Sequence, residues 1–404
     1  MDSTIFKVNT YTLEESLDLI LLGALESKFQ IAVFKNPLEP TINILIDTSE
    51  KLKKVSLQLE DLPGGFIIHP FEDQDDKKAF FLEASFLLKI DLQQEEISSA
   101  DFPSWVDVHR SPLEVKSQIR LNLNEAKSKN EDHLNFHSTT KEEFIDEVNR
   151  GMEEITTGNL LKIVPVRRKK VALPKEFDLV RTYLQLCQAY PTAFVNFFHI
   201  STFETWLGAS PEILIKTAGD MFSTMSLAGS QKAIGDNPLK NVAWTQKEIE
   251  EQALVSRYIV NCFKKIRLRE YEEIGPKTAI AGNLLHLRTD FKVDMKGTGF
   301  PQLGSHMLEL LHPTSAVAGM PRENALTFIH QNENFDRSLF SGFIGPVNIQ
   351  DGTAIYVNLR CAKLLPEFAV LYAGAGVTED SDPEKEWEET ELKCDIIGKF
   401  IHQA

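Results

Sequence analysis

Short apolar runs broken by Pro, Gly and Asp dominate residues 41–92, where Ile42-Asn43-Ile44-Leu45-Ile46 and Gly65-Phe66-Ile67-Ile68 read as strands joined by turns. From residue 139 the rhythm changes. Phe144, Val148, Met152 and Ile155 recur at helical spacing until Gly158, and Thr139 with Glu142 fits a capping box at the start of that helix. The next run, Leu160 to Arg167, is rich in β-formers and carries one lysine, Lys162. Further strand-like runs occupy 193–200, 212–216, 342–349, 353–359 and 367–371, and helical patterns occupy 179–189, 246–266 and 386–402. Because strands do not alternate with helices one for one, the pattern predicts an α+β fold of stacked, mainly antiparallel sheets. The polar stretch 122–141, almost devoid of apolar residues, reads as a linker or loop and divides an N-terminal β-rich segment, 1–125, from the remainder, 139–404.

The densest chemistry lies near the C-terminus. Gly374-Ala375-Gly376 is a small-residue turn feeding a helix whose start is marked by Ser381 with Glu384 and by Pro383. Glu386 and Glu389 then lie one turn apart on a shared face, half of a hard-cation site of the kind that holds Mg²⁺. A solvated acidic helix with a Glu389–Lys393 pair is the plainer alternative.

The 404 residues carry a formal net charge of -16, which argues against nucleic acid or an anionic membrane as the main partner. An anionic small substrate would then need locally placed cations. Cys187, Cys262, Cys361 and Cys394 are far apart with no CxxC pair, as expected of free thiols in a reducing cytoplasm. The N-terminus lacks the pattern of a signal peptide, and the apolar stretch 17–25 is interrupted by Asp18 and falls short of the roughly 20 residues of a membrane span. A cytoplasmic location is expected. Gly208-Ala209-Ser210-Pro211-Glu212 departs from a nucleophile elbow at its last position, and Gly374-Ala375-Gly376 lacks the third glycine of a dinucleotide site. No P-loop or HExxH motif occurs.

Seven segments taken in order resemble the chorismate-utilising enzymes, the group that includes isochorismate synthase, salicylate synthase, anthranilate synthase component I and aminodeoxychorismate synthase component I. They are Lys162-Ile163-Val164-Pro165-Val166-Arg167, Gly208 to Glu212, Ser226-Leu227-Ala228-Gly229-Ser230, Leu311-His312-Pro313-Thr314-Ser315-Ala316-Val317, Phe340-Ser341-Gly342-Phe343-Ile344-Gly345, Asn358-Leu359-Arg360, and the motif from Gly374. The resemblance spans 139–404. Lys162, together with alanine rather than lysine at Ala228, points to isochorismate synthase within that family. Three departures stand out: Gln252 for the usual His, Ser315 for Pro, and Pro165-Val166 for Leu-Ser.

The resemblance implies an anthranilate synthase component I-like fold and addition of water at C2 of chorismate with loss of the C4 hydroxyl. Lys162 is then the general base and Glu212 the general acid, the first needing a depressed and the second a raised pKa. Mg²⁺ would be held by Glu251 and Glu389, with Glu386 and Glu248 on its waters. Arg360 would clamp a substrate carboxylate, and Ala228, Gly229, Ala316, Tyr372, Gly374 and Gly376 would complete the substrate site, with His312 shaping the wall. No glutaminase subunit is expected, and a monomer is. Salicylate synthase, which adds pyruvate elimination, and a non-catalytic chorismate-binding relative are the alternatives.

Overall fold

Ile31 and Val33 point to one face of their strand, Ala32 and Phe34 to the other, and all four are buried. The same holds for Ile67 against Phe66 and Ile68. A strand buried on both sides must be covered by a layer on each, and that requirement sets the architecture. In a computed structural model of the chain, described over residues 10–72, 78–127, 136–200, 205–233, 237–281 and 284–403, two large antiparallel sheets face each other. The eight-stranded sheet runs in the order Val166–Ala172, Phe368–Gly374, Cys361–Leu364, Thr205–Ser210, Phe194–His199, Gln30–Lys35, Thr41–Asp47, Phe86–Asp91. The nine-stranded sheet runs Glu272–Ala281, Leu284–Asp294, Met221–Lys232, Ile213–Ala218, Gly352–Val357, Phe343–Val347, Gly65–His69, Lys78–Glu83, Lys53–Ser56. Strands from both ends of the chain are neighbours in each, as where Gly65–His69 pairs with Phe343–Val347.

Between the sheets lies an aromatic core containing Phe34, Phe66, Phe194, Phe198, Trp206 and Tyr356, with Phe194 and Tyr356 stacked at 4.1 Å. Fully burying one such ring is worth about 1.5–3 kcal/mol. Helices Leu13–Glu26, Leu179–Ala189 and Pro383–Gln403 cover the outer face of the first sheet. Lys141–Thr156, Gln246–Lys265, Leu303–Leu311 and Arg322–Asn332 cover the second. The result is four layers, helix on sheet on sheet on helix, in agreement with the α+β expectation.

In two places the cap stands one residue beyond the position that its local signal suggests. The helix after residue 139 is capped by Thr140 with Glu143, while the Thr139 hydroxyl accepts from the Arg168 amide at 3.1 Å. At the C-terminal helix the cap is Asp382, whose carboxylate accepts from the Glu384 and Lys385 amides at 3.0 and 3.3 Å. Ser381 instead accepts from the Thr378 amide at 3.1 Å, closing the turn before the helix. Either type of cap contributes about 1 kcal/mol. The stretch 122–141 is corrected only at its start: residues 122–127 end the helix Pro112–Lys127, with Val115, Ile119 and Leu123 buried on one face, whereas 136–140 carry no regular structure. The rest of that stretch up to residue 135 lies outside the described residues. The apolar stretch 17–25 is the buried body of Leu13–Glu26, and among the described residues no helix is long and apolar enough to cross a membrane. All four cysteines are free and buried.

Candidate active site

The chain passes between the two sheets at Ser210-Pro211-Glu212 and again at Asn358-Leu359-Arg360, and the two crossings lie side by side. The Ala209 amide donates to the Arg360 carbonyl at 2.9 Å, the Val357 amide to the Glu212 carbonyl at 3.0 Å, and the Ser210 hydroxyl to the Val357 carbonyl at 2.5 Å. Leaving the sheet so abruptly puts Arg360 in the left-handed region, φ 48°, a conformation costing about 1–3 kcal/mol that persists only where the surroundings impose it. Glu212 and Arg360 are thereby fixed on adjacent backbone turns and aimed into one cavity.

That cavity, about 60 Å³, is lined by both residues and by Ala228, Gly229, Glu251, His286, Ala316, Gly374, Gly376, Glu389 and Lys393. It is far below the roughly 300 Å³ of an ordinary small-molecule site, so a ligand must widen it to enter. Larger hollows of about 540 and 630 Å³ exist elsewhere, but neither includes Lys162, Glu212 or Glu251. Lys162 stands behind the cavity wall, wholly buried, with its ammonium 2.9 Å from the Glu251 carboxylate. Gly376 makes room for this pair: a Cβ there would sit 2.1 Å from Glu251 Oε1 and 3.2 Å from Lys162 Cε. Burial pushes the Glu212 carboxyl up to about 7, against the pull of Lys162, Arg360 and Lys393. Arg360 is itself lowered by burial, with Glu389 and Glu212 opposing, and its guanidinium makes no hydrogen bond or ion pair among the described residues. A buried fork with unused donors is suited to a carboxylate.

On the C-terminal helix Glu386 and Glu389 do share a face. Each is met by a lysine: Glu386 by Lys247, and Glu389 by Lys393 at 2.6 Å. Glu386 is raised to about 7 by burial and by the neighbouring Glu389, whereas Lys393 and Lys247 hold Glu389 well below the usual range despite its burial. The charges of Glu386, Glu389 and Glu251 all bear on Lys247. Glu386 Oε2 is buried without a hydrogen-bond partner. Three oxygen donors around a site now served by an ammonium, one oxygen orphaned, suit a hard divalent cation. Their oxygens are not drawn into a tight ligand cluster; among the described residues, the acidic oxygens that do approach within 4.8 Å of one another belong to Glu14, Asp18 and Asp178, around Lys116.

Some residues stand elsewhere than expected. Tyr372 does not line the cavity; its ring is stacked between Trp206 and Phe340, one layer behind the wall that Phe340 forms. The Glu248 carboxylate is spent on its own helix, accepting from the Thr245 amide at 2.7 Å, and on Gln231 at 3.0 Å. His312 packs against His69 and Phe343 behind the cavity, its pKa lowered to about 3 by burial. Gln252 bridges two strands through Ser226 at 2.8 Å and Thr289 at 3.1 Å, which is a structural duty. The Pro165 carbonyl accepts from the Ala375 amide at 3.2 Å.

His286 and Lys247 belong to the site although no motif in the sequence singles them out, and so does Lys393, which the sequence offers only as a helix partner of Glu389. His286 sits across from a bulge in Met221–Lys232 at Gly229, φ 69°, and its Nδ1 faces the Gly229 carbonyl at 2.6 Å. That carbonyl fixes the proton on Nδ1 and leaves Nε2 a buried acceptor without a partner, the ring kept neutral by burial, which lowers its pKa to about 3. Lys393 also donates to the Gly374 carbonyl at 2.7 Å. Spacing offers one signal for the lysines: Lys247 is four residues before Glu251, and Lys393 four after Glu389.

A buried lysine, a raised glutamate, an unpaired arginine and an acidic helix face that meet around one cavity suit an anionic small molecule. The chain belongs to the chorismate binding enzyme family, whose model matches residues 40–401, extending the resemblance well into the N-terminal strands. It is 34% identical over 197 residues to isochorismate synthase EntC of Escherichia coli K12, covering 47% of this chain and 49% of that protein. It is 29% identical over 265 residues to isochorismate synthase DhbC of Bacillus subtilis, covering 62% of this chain and 66% of the relative. These alignments thus span about half to two thirds of the curated relatives' lengths. The solved structure of MenF, the menaquinone-specific isochorismate synthase from Escherichia coli, shares the fold with a TM-score of 0.71 at 19% identity, over 98% of this chain and 94% of that one.

Proposed function

We propose that this protein is an isochorismate synthase, an isomerase that converts chorismate into isochorismate. The observation that carries the reading is a cavity lined by Glu212, whose carboxyl burial raises to about 7, with Lys162 buried behind its wall against Glu251. Lys162, as the general base, takes a proton from the water that adds at C2. Glu212 gives its proton to the C4 hydroxyl, which leaves as water while both ring double bonds move over by one bond. Arg360 grips one substrate carboxylate with its free fork, and the Nε2 acceptor of His286 can receive a substrate hydroxyl. Mg²⁺ would be held by Glu251, Glu386 and Glu389 and, when bound, would neutralise the other carboxylate. Lys247 now pairs with Glu386 and Lys393 with Glu389, the positions that the cation would share.

The subfamily rests on Lys162 and Ala228. Ala228 lines the cavity and is 6% exposed, so the position offers no amine for a covalent adduct. Incubating the purified protein with chorismate and Mg²⁺, with and without ammonium, and separating the products tests the reading. Isochorismate is expected. Salicylate with pyruvate, or anthranilate at a comparable rate, would move the protein to another branch, and unchanged chorismate would remove it from catalysis.

A further inference from the structure

Arg337 is 1% exposed, lies outside the cavity lining, and uses its guanidinium on groups that belong to the site. Nη1 donates to the Val317 carbonyl at 2.8 Å, Nη2 to the Val164 carbonyl at 2.8 Å, and Nε to Glu333 Oε2 at 2.8 Å. A second bond from Nη2 reaches Glu333 Oε1, and that oxygen also accepts from the Val166 amide at 3.2 Å. The face of the guanidinium rests on Phe71, 4.4 Å from its ring centre. Val164, Val166 and Val317 all line the cavity.

These are the backbone groups that a sheet cannot satisfy. The strand Lys162–Ile163 is paired with Gly319–Met320, and at Val166 the chain enters the eight-stranded sheet beside Gly374. Val164 and Pro165 bridge the two pairings. The Val164 carbonyl, two residues from Lys162, is therefore fixed by Arg337, and the loop bearing Ala316 and Val317 is fixed by the same planar group. Glu333 closes the bracket at Val166.

We propose that the Arg337–Glu333 pair is a positioning device that sets the reach of Lys162 relative to the Ala316–Val317 wall, and so governs turnover without touching substrate. The inference rests on Lys162 being the base for chorismate hydration. A lysine at 337 keeps the charge but cannot hold two carbonyls and a carboxylate in one plane. A glutamine at 333 keeps every heavy-atom position and the acceptor for Val166 while weakening the grip on Arg337.

The test compares the full-length wild type with Arg337→Lys and Glu333→Gln. Expected is a kcat loss of tenfold or more in Arg337→Lys and a smaller one in Glu333→Gln, with KM for chorismate within threefold of wild type. Hydrogen exchange should quicken in peptides covering 160–167 and 314–320 and stay unchanged over 383–403. Unaltered kcat despite faster local exchange would overturn the proposal, as would exchange rising throughout the chain, which marks a merely structural loss. If Arg337→Lys does not fold, Glu333→Gln decides by the same criteria. A wild type that leaves chorismate unchanged would instead defeat the proposed function, a result distinct from either.

Discussion

Lys162 and Glu251 face each other at 2.9 Å, but they are not equally sheltered: the lysine is wholly buried and the glutamate side chain keeps 13% of its exposure. Removing one charge of such a pair strands the other, and the stranded charge sets the penalty. Glu251→Gln leaves a buried ammonium and should cost about 3–5 kcal/mol. Lys162→Met leaves a carboxylate that reaches solvent and should cost clearly less. Urea unfolding of the two variants checks the order, and equal or reversed losses would show that the pair does not hold the site together.

Turnover separates the acid from the base. Lys162→Ala and Glu212→Gln should each lower kcat by about 10²-fold while chorismate still binds. The acid acts protonated, so with its carboxyl at about 7 the wild-type rate should hold below that pH and fall above it. Stability follows the same group. Its folded value lies above the ordinary 4.5, so the stability it contributes is present below 4.5 and lost as pH rises through about 7. Glu212→Gln should flatten that slope in thermal melts across this window, and an undiminished slope would assign it to other groups.

At Gly376 the obstacle to a side chain is the tip of Glu251, 2.1 Å from where an added methyl carbon would sit, and that tip is a flexible group that can swing away. The tip's Oε1 is the oxygen that Lys162 meets at 2.9 Å, so displacing it strands the buried ammonium, and Gly376→Ala should lower both the melting temperature and kcat, the latter by about tenfold or more. An unchanged melting temperature would show that the Lys162–Glu251 pair survives the added methyl group.

Metal binding has a readout that needs no turnover. Mg²⁺ that binds only the folded protein must raise its melting temperature. The wild type should show that rise, and Glu389→Ala should lose most of it. EDTA should abolish activity and excess Mg²⁺ restore it. Full activity in EDTA, or an undiminished melting shift in the variant, would exclude these glutamates as the ligands.

Residues with a strong local signature are legible in sequence, while those defined by three-dimensional neighbours are not. The helix Leu179–Ala189 is bounded correctly because apolar spacing and the Asp178 cap agree. The helix Pro112–Lys127 reads as a linker from residue 122 on because, among its described side chains, Val115, Ile119 and Leu123 alone are buried in an otherwise polar run. Hydrophobic alternation is weak because strands such as Gln30–Lys35 are buried on both faces. At the site, Glu212, Arg360, Glu386 and Glu389 stand in the ordered motifs, while Glu251 is reached only through the family resemblance. His286 escapes because its role depends on a bulge in the neighbouring strand, and Tyr372 is expected one layer too near because a strand's alternation does not tell which ring ends at the cavity.

Because Val195 pairs with Lys35 and Phe343 with His69, neither sheet can be assembled from one contiguous piece of chain. On a ribosome, the early strands emerge with both apolar faces bare, long before their partners are made. Such distant pairing is slow and leaves sticky surface exposed meanwhile. The helix Pro383–Gln403, which brings Glu386 and Glu389, is made after every strand of both sheets. A truncated chain ending before Pro383 would therefore lack that acidic face altogether, and Glu251 meets Glu386 and Glu389 only once both sheets have been synthesised.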